Sequence, residues 1–252
     1  MGQELILEKV EHPSWLSNTY LVGEMDGGCA VVIDSGGPIE PLLEVIRKRH
    51  LRVTYLLNSH HHSDHITENA RLKKGTDARL CAHRLDARSI EGVDLELEDN
   101  DVISTGSLKI RLLHIPGHTA GQAGFVINDE ICFTADTLFK GSIGGTLAPG
   151  HTTFEDLRHS IVERLLTLPD SMRVAPGHSG MTTIGLEREN NPFVRVMLGK
   201  DPEGQERARF AGQEVQLVVW ARDYDDGFKA WVRYPDGRDE VVPGSQVQRQ
   251  GH

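Results

Sequence analysis

Long hydrophobic runs are missing from this sequence of 252 residues. No apolar stretch approaches the roughly 20 residues that span a bilayer, and the opening Met1-Gly2-Gln3-Glu4-Leu5-Ile6-Leu7-Glu8 lacks a basic flank and an apolar core of signal-peptide length. A soluble cytoplasmic protein is therefore expected. Cysteine is scarce: Cys29, Cys81 and Cys132 are odd in number, far apart and set among apolar neighbours, which reads as reduced core thiols rather than a disulfide framework. Positive charge is short too, with 27 Lys and Arg against 37 Asp and Glu for a net charge of −10, so a binder that tracks a nucleic-acid backbone is disfavoured. Aromatic residues make up only 6% of the chain, yet Trp220, Tyr224, Trp231 and Tyr234 crowd together near its end. Histidine is plentiful, with 13 in all and four of them between His60 and His65.

Short β-like runs at Glu4–Val10, Thr19–Gly23 and Cys29–Asp34 precede an amphipathic helix from Pro38 to about His50 and a strand Val53–Asn58. A helix over Asp64–Lys74 follows, then strands near Ala78–Ala82, Leu108–His114, Gly124–Ile127 and Ile131–Ala135. Thr152 and Thr153 stand where an N-cap belongs, ahead of Leu157, Ile161, Leu165 and Leu166 on one helical face. Strand Arg173–Ala175 and helix Ile184–Glu189 close this portion at Asn191-Pro192. The polar Gly/Pro segment 199–204 marks a domain boundary, which gives a catalytic portion over residues 1–198 and a small β-rich module over 203–252. In that module Val215–Ala221, Phe228–Tyr234 and Glu240–Val242 read as three strands whose core the four aromatics fill. Its seven basic and nine acidic residues do not make a nucleic-acid-binding barrel.

The chemistry concentrates in His60-His61-His62-Ser63-Asp64-His65, directly after an apolar strand and before a helix. In an extended segment His60 and His62 project to one side and can reach one cation, while His61 points to the other side and takes a structural or supporting role. Asp64 and His65, adjacent at the turn, can serve a second cation. His118, Asp136 and His178 each follow an apolar strand in the same way, and a carboxylate can bridge two cations where an imidazole offers one nitrogen, so Asp136 is the natural bridge. His83, His151 and His159 carry no pattern beyond exposed or capping histidines, and His114 ends its strand.

The order His60-x-His62-x-Asp64-His65, His118, Asp136, His178 resembles the metallo-β-lactamase superfamily over roughly residues 4–198. Thr134-Ala135-Asp136-Thr137-Leu138-Phe139 and Pro176-Gly177-His178 are similar to its glyoxalase II-like hydrolases of the short bacterial type, with Ala135 in place of the usual glycine. The resemblance implies an α/β (α+β) fold: an αββα sandwich with the metal centre at one edge, followed here by the C-terminal β-rich module. It implies two divalent metal ions, zinc first with iron or manganese as alternatives. His60, His62 and His118 would hold one ion, Asp64, His65 and His178 the other, and Asp136 with a hydroxide would bridge both. Such a pair of cations acidifies water and polarises a carbonyl, with Asp64 and Asp136 flanking the water as catalytic residues.

The expected activity is a dinuclear metal-dependent hydrolase, a thioesterase of hydroxyacylglutathione-hydrolase type. Its partner would be a small-molecule acyl thioester or ester, with no nucleic acid and no membrane, and the assembly is compatible with a homodimer. Gly145 stands where arginine is common in that group, and Lys140 is the candidate to hold a substrate carboxylate instead. Asp64-His65-Ile66-Thr67 is also similar to the text of the persulfide dioxygenases, in which two histidines and a carboxylate hold one iron. Against that alternative stands the hydrolase-like Asp136-Thr137-Leu138-Phe139. Lactonase or β-lactamase-type ring opening would use the same ligand set.

Overall fold

A computed structural model describes residues 5–249. The chain gathers into two compact units: one holds the residues up to His114 with Gly121–Ala135 and Gly177–Ser179, the other Ile115–Ala120, Asp136–Pro176 and the residues from Gly180 onward. Glu4, expected to begin the first strand, lies outside the described residues.

In the first unit β1 (Ile6–Glu11), β2 (Asn18–Gly23) and β3 (Cys29–Ile33) form an antiparallel meander. Helix α1 (Glu40–Lys48) then carries the chain back, so that β4 (Arg52–Asn58) joins β3 in parallel, as parallel neighbours require. Helices α2 (Ser63–Ile66) and α3 (Asn69–Thr76) do the same for β5 (Arg79–His83), and α4 (Arg84–Ala87) precedes β6 (Leu95–Leu97). Alternation divides this sheet between two layers. Leu21, Ala30, Val32, Leu56 and Leu80 share a core with Leu42 and Ile46 of α1 and Leu72 of α3. From the other face Tyr20 meets Phe133 edge-on at 5.2 Å. Phe133 belongs to a second meander, β7 (Val102–Thr105), β8 (Leu108–His114), β9 (Ala123–Ile127) and β10 (Ile131–Ala135). Every residue of β9 and β10 is buried, which is why both read as apolar runs broken only by Thr134.

The single helix expected over Asp64–Lys74 is two. The Glu68 amide donates to the Ser35 carbonyl instead of continuing the first helical turn, and the Thr67 hydroxyl caps back onto Ser63. The first of these bonds pulls the chain toward the β3 loop, and the second closes the turn on itself. The strands β6 and β7 and helix α4 are too short for periodicity to reveal them.

The second unit opens with a tight hairpin, β11 (Leu138–Phe139) and β12 (Ser142–Ile143). Helix α5 (Phe154–His159) begins at a capping box in which Thr153 and Asp156 each bond the other's backbone amide. Its continuation Ser160–Leu165 widens into a π-helical turn, where the Ser160 hydroxyl donates to the Pro116 carbonyl at 2.7 Å. Strands β13 (Arg173–Pro176) and β14 (Thr182–Thr183) and helix α6 (Ile184–Asn190) follow. Asn191-Pro192 does not close the region. Asn191 caps α7 (Pro192–Met197), whose first position suits proline.

The last stretch holds five strands where three were expected: β15 (Glu206–Phe210), β16 (Gln213–Arg222), β17 (Phe228–Arg233), β18 (Asp239–Pro243) and β19 (Gln248–Arg249), ordered β18-β17-β16-β15-β19. One face builds its own core from Phe210, Leu217, Val232, Tyr234 and Val242, with Trp220 against it. Trp231, expected in that core, points from the other face and lies 4.5 Å from the Phe154 ring of α5.

Candidate metal centre

Within the first unit, Asp64, His65 and His178 converge: one ligand atom of each lies within 4.8 Å of the others. The Asp64 Oδ2 is 3.4 Å from His65 Nε2 and 3.5 Å from His178 Nε2. Strand β4 delivers Asp64 and His65 into the short α2, and an isolated bridge between Ser17 and His178 holds the loop after β13. A side chain at Gly36 would collide with the Asp64 carbonyl, so only glycine allows the β3 loop to press against the ligand turn.

Behind this cluster stands Asp34, buried and in the left-handed backbone region at φ 58°. Its carboxylate accepts from the Ser59 amide at 2.7 Å and the Ser59 hydroxyl at 2.8 Å, and lies 2.9 Å from His65 Nδ1. A carboxylate accepts only, so Nδ1 carries the proton and the Nε2 lone pair faces Asp64. The Ser59 hydroxyl oxygen also sits 2.9 Å from His60 Nδ1. His60 and His62 lie with ring centroids 4.6 Å apart. His61 turns away as its position predicts, with Nδ1 2.8 Å from the Asp86 carboxylate, which also accepts from the Gly121 amide.

In the second unit, His118 Nε2 stands 3.5 Å from Asp136 Oδ2. His118 Nδ1 is 2.8 Å from the Gly145 carbonyl, an acceptor, so here too the proton sits on Nδ1 and the lone pair points at the carboxylate side. The glycine that replaces the expected arginine thus supplies a backbone acceptor. Asp136 follows Ala135, whose φ of 43° lies in the left-handed region; the usual glycine at that position avoids the strain that this alanine bears. His118 and Asp136 line a cavity of about 300 Å³ together with Phe139, Tyr224 and Lys229. Lys140 is exposed on the β11–β12 turn and is not part of that wall.

Away from the cluster, His83 and His114 of the first unit stack at 4.1 Å and 9°. His83, expected to be exposed or capping, caps α4 through the Leu85 amide but is buried, and burial followed by the His114 neighbour pushes its pKa down to about 4. All three cysteines are free and buried, and burial raises Cys81 and Cys132 to about 12.

The donor set is that of a divalent-metal site: imidazole nitrogens with proton positions set by acceptors behind them, and carboxylate oxygens beside them. The family model of the metallo-beta-lactamase superfamily matches residues 13–178, which holds every proposed ligand. The chain belongs to that superfamily. It is 31% identical over 185 residues to the hydroxyacylglutathione hydrolase GloC of Haemophilus influenzae, covering 66% of this chain and 87% of that protein. Among solved structures it resembles ETHE1 from Myxococcus xanthus, at a TM-score of 0.68 and 26% identity over 78% of this chain and 91% of that one. It also resembles TTHA1623, solved in a di-iron-bound form, at a TM-score of 0.63 and 32% identity over 74% of this chain and 99% of that one. The mixed α/β fold is that of its superfamily neighbours, and members of the superfamily are metal-dependent hydrolases. The sheet β15–β19 lies beyond the residues matched by the family model.

Asp34 and Ser59 went unread in the sequence, and Gly145 was read only as the replacement of an arginine, not as the acceptor behind His118. Asp34 carries a usable signal, since it ends an apolar strand just ahead of Gly36 as the ligands end theirs. A backbone carbonyl such as that of Gly145 leaves none.

Proposed function

We propose that this chain is a dinuclear metal-dependent thioesterase acting on small acyl thioesters. In this reading His60, His62 and His118 hold one divalent ion, Asp64, His65 and His178 hold a second, and Asp136 is shared. Zinc is the first candidate, with iron or manganese as alternatives. The observation that carries the reading is the convergence of Asp64, His65 and His178, with Asp34 fixing the His65 proton. The His118–Asp136 pair and the likeness to GloC support it. When bound, divalent ions polarise a carbonyl and make water acidic near neutral pH. The chain's part is to hold the ligand nitrogens in one tautomer and to keep the Asp64 and Asp136 carboxylates where they orient the attacking water. The buried, free cysteines support residence in a reducing compartment such as the cytoplasm, and among the described residues no helix is long and apolar enough to cross a membrane.

The Asp64-His65-Ile66-Thr67 text favours one alternative, an iron-dependent persulfide dioxygenase. Elemental analysis of protein purified without added metal separates the two. About two equivalents of metal per chain, with turnover of an acyl thioester, are expected for the hydrolase. A single iron with oxygen consumption on a persulfide would replace it.

A further inference from the structure

The C-terminal sheet uses both faces. Alternation along β17 puts Ala230 and Val232 into the sheet's own core and turns Lys229 and Trp231 to the opposite side. That second face is fastened to the segment after Asp136. The Thr146 amide donates to the Val241 carbonyl at 3.0 Å, and the Val241 amide donates to the Thr146 hydroxyl oxygen at 3.0 Å. The Ser142 hydroxyl donates to Asp223 at 2.8 Å, and Trp231 packs on Phe154.

What this face closes is the cavity of about 300 Å³ in whose wall His118 and Asp136 stand. Tyr224, Lys229, Val241 and Pro243 come from the sheet, and Phe139 and Leu147 from the segment before it. The wall is largely apolar. Its ammonium group, Lys229, is buried and already bonded to Asp223 at 2.8 Å, with Nζ 5.4 Å from the Phe139 ring centre and 5.2 Å from that of Tyr224. With the buried ammonium matched by Asp223, the wall away from the His118–Asp136 end carries no net charge and is a poor receptor for a free carboxylate. The volume is at the lower end for a small-molecule site and suits one short, uncharged chain beside the ligand side chains.

We propose that the sheet β15–β19 is the specificity element of this enzyme, forming with Phe139 and Leu147 a neutral pocket for the aliphatic acyl chain of the substrate. The proposal rests on the thioesterase reading for its substrate, while the pocket itself is testable without turnover. Tyr224 sets its width, and Gln246, exposed and also in its wall, sets its mouth.

The test is hydrolysis of N-acetylcysteamine thioesters carrying acetyl, butanoyl, hexanoyl and octanoyl groups. For the wild-type chain kcat/KM is expected to rise by up to about fourfold per methylene until the pocket is full, the value of burying one CH₂. Gln246→Trp should lower the hexanoyl-to-acetyl ratio about tenfold, and Tyr224→Ala should move the optimum to a longer chain. A wild-type profile flat with chain length, or a ratio unmoved by both variants, overturns the proposal. If no thioester is hydrolysed, the thioesterase reading fails by itself, and hexanamide binding followed by saturation-transfer NMR decides the pocket. Signal with wild type that is lost in Gln246→Trp upholds it, and absence of signal with wild type overturns it.

Discussion

Single residues behind the proposed ligands decide whether those ligands are usable. Asp34 is the clearest case, because its carboxylate sets both the Ser59 hydroxyl and the His65 proton. In Asp34→Asn an amide NH₂ can replace an acceptor, pushing the His65 proton toward Nε2, the nitrogen that faces Asp64. Metal affinity is expected to fall by about 10–100-fold in chelator competition, with secondary structure unchanged by circular dichroism. An unchanged affinity would mean that Asp34 is merely structural. Ala135 makes the opposite kind of prediction. At φ 43° it bears a steric cost of about 1–2 kcal/mol that glycine escapes, set against about 0.5–1 kcal/mol of extra unfolded-state entropy. Ala135→Gly should therefore stabilise the fold by about 0.5–1 kcal/mol in denaturant unfolding.

At the scale of elements, strand ends and helix starts carry most of the proposed site. Each ligand segment leaves an apolar strand, and each depends on how the next element is capped or turned. His83 shows how such a junction couples to pH. It ends β5, caps α4, and is held neutral by burial and by the stacked His114. With its pKa pushed down to about 4, the folded state binds fewer protons than the unfolded chain between that value and the ordinary histidine range. Its contribution is thus fully present above about pH 6.5 and is lost as pH falls toward 4, amounting to at most about 3 kcal/mol. His83→Asn keeps a capping side chain and removes the titration. The acid limb of a stability-against-pH profile should then be shallower between those values, whatever the absolute loss from the smaller side chain.

For the whole molecule, the placement of the last sheet matters most. Its outward face is buried within the second unit through Trp231 on Phe154 and the paired Val241–Thr146 bonds. Trp231→Ala is expected to cost about 3–5 kcal/mol, the range for removing a large buried aromatic, read from the shift in denaturant midpoint. A loss under about 1 kcal/mol would mean the sheet is only loosely held. How much of this was legible beforehand follows from the range of the forces involved. Alternation and 3.6-residue periodicity are local, so strands such as β3, β4 and β10 and helix α1 can be read from neighbours in the chain. So can the ligand candidates His60, His62, Asp64, His65, His118, Asp136 and His178, because strand-end histidines and aspartates in that order are a local pattern repeated four times. The split of the helix after Asp64 was not legible, since it depends on an amide reaching Ser35 across the loop. Nor was the burial of His83, which needs His114 from another strand. The outward turn of Lys229 and Trp231 had a signal in their spacing, but nothing nearby says which face of a sheet meets its own core and which meets another segment. The chain by itself determined its longer elements, its candidate ligand types and its family, because these rest on side-chain chemistry and short-range period. Only tertiary structure decided which acceptor fixes each imidazole proton, where strain is borne and what closes the pocket, because those are contacts between residues far apart in sequence.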